Sequence, residues 1–156
     1  LEVAKQFEAQ GSEKFARTYS LGASRVQFQA YHRLLIVGIA ADVGEHDALG
    51  AANTMRGVQA RRPSIYDLES ELRAMPVPSL VVVGDEDDHC LQPGIFLKKT
   101  VPACGLAVMP KTGHTLNLEE PAAFNALLAE FFAQVEAGQW KPRDPRALPS
   151  QIMKTD

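Results

Sequence analysis

The chain has 156 residues, 46% of them hydrophobic and 22% charged, with a formal net charge of −3. That length corresponds to about one domain, and the composition excludes a disordered or fibrous chain. A sequence pI near 5.8 offers no global basic face, so nucleic acid is not an expected partner. The longest apolar run, Leu34 to Ala41, is less than half of the roughly 20 residues that a bilayer span requires, so no membrane is expected either. No charged-then-apolar leader is visible, and Cys90 and Cys104 alone make no disulfide framework, which makes a reducing cytoplasm the expected setting. The first residue is Leu1 rather than Met, and we read the sequence as a piece of a longer polypeptide.

Residues 1–75 read as helical. Val3, Phe7, Phe15 and Tyr19 recur loosely at multiples of a helical turn, with a break at Gly11-Ser12. Val26, Phe28, Tyr31, Leu34 and Leu35 continue that pattern, and Ala48, Leu49, Ala52, Met55 and Val58 follow the spacing of an amphipathic helix. Arg61-Arg62-Pro63 ends it, because the residue before a proline is pushed out of the α region. Ser64 with Asp67 three residues on is a weak capping box, which opens a short helix carrying Ile65, Leu68 and Leu72.

Residues 76–140 differ in character. Leu80-Val81-Val82-Val83 follows the punctuation Pro76-Val77-Pro78 and has the look of a parallel strand covered on both faces. Pro93 is placed to open a helix over about 93–100, and Leu106 to Met109 reads as a second strand. Pro121 opens a helix whose face holds Phe124, Leu127, Leu128, Phe131, Phe132 and Val135, with Gly138 as its C-terminal cap. Strand, helix, strand, helix is the order of an α/β sheet. Residues 141–156 read as an irregular tail.

Both strands end in polar loops, Gly84 to Cys90 and Pro110 to His114. Strand–helix–strand crossovers are almost always right-handed, so the two carboxyl ends emerge at one sheet edge, about 4.8 Å apart. Ligands of open α/β sheets bind at that edge. Geometry therefore nominates Asp87, or a neighbouring acid, together with His114.

The same residues resemble a known family. Pro78 to Asp87 (PSLVVVGDED), then Met109 to Pro121 (MPKTGHTLNLEEP) and a Phe-rich helix, are similar to the C-terminal part of an α/β-hydrolase: a strand ending Gly-x-x-Asp, then Gly-His, Asn-x-Glu-x-Pro and a terminal helix. The resemblance covers residues 78–135 in order and spacing. It implies the C-terminal portion of an α/β-hydrolase fold, with short parallel strands and flanking helices, preceded by a helical cap-like segment at 1–75. It also implies that Asp87 is the acid and His114 the general base of a Ser-Asp-His triad.

The nucleophile of that triad, on a Gly-x-Ser-x-Gly elbow, does not follow from the sequence. Gly22-Ala23-Ser24 lacks the second glycine and any preceding apolar strand, so Ser24 reads as a helix-boundary serine. Leu34 to Asp42 has the pattern of a strand and turn, but its central residue is Ala40, and a buried helix or strand in the cap region is the preferred reading. No His-Gly-Gly-Gly oxyanion stretch occurs. The expectation is a fragment of an esterase-like hydrolase for a small-molecule ester or related carbonyl substrate, inactive alone. The alternative is a non-catalytic binding or assembly module of the same ancestry. Short parallel strands leave unpaired edges, so the expected partner is an N-terminal half of the hydrolase or a second copy of this chain.

Other residues carry plainer readings. Asp85, Glu86 and Asp88 read as a solvated acidic loop, His32 and His46 as surface or cap residues, and Lys98-Lys99 as a solvated helix face, while Arg61-Arg62 reads equally as a clamp for an anionic substrate or as an exposed helix end. Cys90 follows the acid loop, where it could border a pocket, but a plain buried thiol is the preferred reading. With His89 and Cys90 the acidic loop invites a metal, but consecutive residues cannot all point at one ion and no second ligand pair at zinc spacing exists. No metal or cofactor is expected.

Overall fold

The computed structural model describes residues 1–147. Within them, a layer of helices precedes a two-stranded parallel unit with its own helices. The helical layer comprises α1 (Glu2–Tyr19), α2 (Val26–Tyr31), α3 (Arg33–Gly44), α4 (Ala48–Thr54) and α5 (Glu69–Arg73). α1 is kinked at the predicted break, where Gly11 takes φ 77° and ψ 165°, a left-handed φ that costs glycine little. The kink lets Phe7 and Phe15 turn inward together. Their rings lie 4.2 Å apart and pack with Ala4 and Ala52 in a small core covered by Ala51 and Met55. Each buried phenylalanine contributes about 1.5–3 kcal/mol relative to an exposed one. Arg56 donates to both Glu8 carboxylate oxygens at 2.5 Å, an exposed clasp between α1 and the π-type turn Met55–Gln59 that follows α4.

Leu34 to Ala41 is helical, lying within α3. Periodicity alone does not separate a short apolar strand from a helix segment; α3 runs from Arg33 to Gly44, twelve residues, a helical length. The capping box forms as read: Ser64 Oγ accepts from Tyr66 N–H, and Asp67 accepts from Ser64 N–H at 3.0 Å. It opens a 3₁₀ turn at Ile65–Leu68 that continues as α5.

The second unit holds β1 (Ser79–Gly84), α6 (Asp88–Thr100), β2 (Cys104–Met109), α7 (Leu116–Glu119) and α8 (Pro121–Glu136). β1 and β2 pair in parallel, from Ser79 opposite Cys104 to Gly84 opposite Met109. α6 packs on both strands, and Gly94 lets it approach Val81, Val83 and Leu106 closely. Three sequence expectations change here. Pro93 does not open its helix; α6 starts five residues earlier, straight after Asp87, and carries Pro93 inside it. The strand core is not buried on both faces: Leu80, Val81 and Val82 are half-buried, because within the described residues β1 has one neighbouring strand. The apolar face of α8 is likewise only half-covered, and Phe132 is 55% exposed. Pro121 at the first turn of α8 and Gly138 beyond its end, at φ 66°, stand as read. Trp140 lies against Gly105, donates from Nε1 to Ala103 O at 2.8 Å and meets Phe131 edge-on at 4.8 Å. Residues 141–144 are irregular and Pro145–Ala147 forms a 3₁₀ turn; 148–156 of the predicted tail lie outside the described residues.

Candidate active site

Gly84 closes β1 and makes the site possible. A Cβ there would lie 2.1 Å from Thr112 O and 2.4 Å from Gly113 O, so only glycine lets the two strand-end loops touch. Backbone bonds then lace them: Asp85 N–H to Met109 O at 3.0 Å and Glu86 N–H to Thr112 O at 3.1 Å. Lys111 turns the second loop at φ 58°. Asp87 caps α6 through its carbonyl, which accepts from Cys90 and Leu91 N–H, while its side chain makes no cap bond.

Asp87 and His114, 27 residues apart, meet at this rim. His114 Nδ1 stands 2.6 Å from Asp87 Oδ2. A carboxylate only accepts, so the neutral imidazole donates from Nδ1–H and Nε2 is left as the free lone pair. The Asp87 side chain is 4% exposed and the His114 ring 49% exposed. The carboxylate is thus shielded while the imidazole remains accessible. Burial pushes the Asp87 carboxyl up, but bonds from Cys90 and His114 and the charges of His114 and His89 outweigh it and hold the group below the ordinary range. Such a carboxylate stays ionised beside the imidazole.

The histidine loop is braced from three sides. Glu119 accepts from Gly113 N–H at 2.6 Å, Thr115 N–H at 3.1 Å and Thr115 Oγ1 at 2.7 Å. His114 N–H donates to Ser24 O at 3.0 Å, and Gln27 bonds Glu86 across the layers. Asp85, Glu86 and Asp88 are exposed as read, although Asp85 Oδ1 also accepts from Thr112 N–H and Glu86 from Lys111. Ser24 sits in the 3₁₀ turn Ala23–Arg25, not after a strand, and among the described residues its hydroxyl makes no bond to the His114 ring. Cys90 is half-buried rather than the buried thiol preferred from the sequence, and its Sγ lies 3.8 Å from His114 Nδ1. Burial, followed by the Asp87 bond and charge, pushes its thiol up to about 11. Its spacing from Asp87, three residues along a helix start, was the available signal. A cleft of about 940 Å³ runs from His114 along the helical layer, past Phe7, Phe15, Tyr19, Met55 and Arg62.

The fold of this chain recurs in solved structures. MenH from S. aureus superposes with a TM-score of 0.78 at 18% identity, over 86% of this chain and 50% of that one. The chain carries part of an α/β-hydrolase fold. A thermophilic esterase from Thermogutta terrifontis, solved with malate bound, matches that fold with a TM-score of 0.67 at 24% identity, over 86% of this chain and 48% of its own. Est816, described as an N-acyl homoserine lactone degrading enzyme, matches with a TM-score of 0.61 at 25% identity, over 83% and 51%. In sequence, a "Putative 2-succinyl-6-hydroxy-2,4-cyclohexadiene-1-carboxylate synthase" of Bacillus subtilis (strain 168) is 26% identical over 91 residues, 58% of this chain and 32% of that protein. The chain therefore spans about half the length of the structural relatives and a third of the sequence relative. No protein-family model matches it. No helix among the described residues is long and apolar enough to cross a membrane.

Proposed function

We propose that this chain supplies the acid and base of a serine-type α/β-hydrolase that acts on an ester or related carbonyl substrate. The contact of His114 Nδ1 with Asp87 Oδ2 at the rim of the parallel strands carries the reading. His114 Nε2 takes the proton of a nucleophilic hydroxyl and returns it to the leaving group, while Asp87 fixes the tautomer and stabilises the imidazolium. General acid–base help of this kind is worth about 10²–10⁴ in rate. Residues 1–75 act as a cap-like layer over the cleft, 76–140 as part of the core, and 141–156 as a tail. The cleft's aromatic wall and its opening onto His114 support a small-molecule substrate with an apolar portion. The hydroxyl comes from an N-terminal half of the hydrolase, which also covers the open strand edges; a second copy of this chain is the other candidate cover.

Two measurements test this reading. The purified chain is treated with a chromogenic short-chain ester and a serine-directed phosphonate. The expected result is no labelled serine and no turnover; covalent labelling of Ser24 overturns the assignment of the nucleophile. Light scattering of the same sample is expected to show association, and a monomer with a sharp cooperative melt overturns the need for a covering partner.

A further inference from the structure

We propose that Asp87, Cys90 and His114 form a three-ligand site for zinc or another thiophilic divalent transition-metal ion. One carboxylate oxygen, one sulfur and one ring nitrogen from these residues all lie within 4.8 Å of one another. Six consecutive residues cannot surround an ion, which is why the acidic loop looks unpromising in sequence. Folding changes the donor set, because α6 turns Cys90 back toward its own cap residue and β2 delivers His114 from a distant position.

The distances decide which ion fits. Tetrahedral zinc with Zn–N near 2.0 Å and Zn–S near 2.3 Å separates nitrogen and sulfur by about 3.5 Å. Cys90 Sγ and His114 Nδ1 are 3.8 Å apart, already close to that edge. Asp87 Oδ2 and His114 Nδ1, at 2.6 Å, must part to about 3.3 Å, the edge for two bonds near 2.0 Å. A small carboxylate rotation supplies this, since the terminal carboxylate torsion is soft and no helix N–H holds the Asp87 side chain. A mixed nitrogen, sulfur and oxygen set selects zinc and its neighbours over magnesium or calcium. Three protein ligands leave a fourth position for water. The half-exposed His114 ring provides an entry path.

Binding replaces the Cys90 S–H bond with a metal–sulfur bond and releases that proton to solvent. The His114 ring keeps its proton but moves it from Nδ1 to Nε2, leaving Nδ1 to the metal. A ring protonated at Nε2 cannot accept a proton from a hydroxyl, so the ion would silence the base assigned above. The metal site itself stands without that assignment.

Cobalt(II) titration of the reduced, untagged chain reads the site directly. One equivalent is expected to give a near-ultraviolet thiolate-to-cobalt band and the visible absorption of a tetrahedral ion, both bleached by zinc. Cys90→Ala should lose the charge-transfer band, His114→Ala should weaken cobalt binding at least about tenfold, and Cys104→Ala should keep both features. Circular dichroism checks that each variant is folded. The site is overturned by absence of the band at saturating cobalt, by its survival in Cys90→Ala, or by its loss in a folded Cys104→Ala.

Discussion

Replacing Gly84 with alanine attacks the contact on which the whole rim depends. The new Cβ would sit 2.1 Å from Thr112 O, whereas carbon and oxygen ordinarily approach to about 3.3 Å. The loops must therefore part by roughly 1.2 Å. Glu86 N–H and Asp85 N–H, now 3.1 and 3.0 Å from their acceptors, would then lie near or beyond bonding range. Two backbone bonds at about 1 kcal/mol each, added to an overpacking penalty of about 1–3 kcal/mol, give about 3–5 kcal/mol. For a chain of this size that lowers the melting temperature by roughly 6–20 °C. Thermal melts followed by circular dichroism measure it, with Gly38→Ala as the control. Gly38 lies inside α3 with nothing within 4 Å of its added Cβ, so there the same change should be neutral or stabilise by up to about 1 kcal/mol. A Gly84→Ala melt within two degrees or so of the parent would refute the argument from close approach.

On the function proposed above, Asp87→Asn and His114→Ala in a full-length protein containing this chain should each lower turnover by about 10²–10⁴, while Asp85→Asn should stay near the parent; loss of activity in Asp85→Asn with Asp87→Asn intact would move the proposed acid by two residues. The depressed Asp87 carboxyl stabilises the fold above its unfolded value of about 3.9, and this contribution fades as pH falls and is gone below the folded-state value. Urea melts taken stepwise below about pH 4 should therefore show a steeper loss for the parent than for Asp87→Asn. Glu119→Ala strands the Gly113 and Thr115 N–H groups and should lower the melting temperature by several degrees, and Glu119→Gln, which keeps an acceptor, should recover much of it. Trp140 is the single tryptophan, so its fluorescence reports the second unit alone; red-shifted emission before that unit melts would contradict its seat on Gly105.

What could be read from the sequence was whatever a short stretch of chain decides by itself. Leu80 to Val83 and Leu106 to Met109 are strands because they are short, apolar and bounded by turn residues, and Ser64 with Asp67 is a capping box because both partners lie within one turn. The Asp87–His114 contact was also within reach, since parallel pairing forces both strand ends to one edge. Pro93 misled because a proline at a first turn and a proline in a second turn look alike locally; the helix start is set upstream by Asp87. The nearness of Cys90 to His114 needed two elements at once, the direction of α6 and the length of the second loop. Glu119 was visible in the Asn-x-Glu-x-Pro pattern, but its work, accepting three bonds from the histidine loop, appears only when that loop is closed.

Asp87 and His114 follow neighbouring strands joined by one crossover helix, and nearly every bond that aligns them is made within residues 84–119. Geometry that is set so locally travels as a cassette. Lengthening, trimming or exchanging the helical layer would reshape the cleft while the Asp87–His114 pair keeps its alignment, so, on the function proposed above, a new substrate preference can be sampled without rebuilding the chemistry.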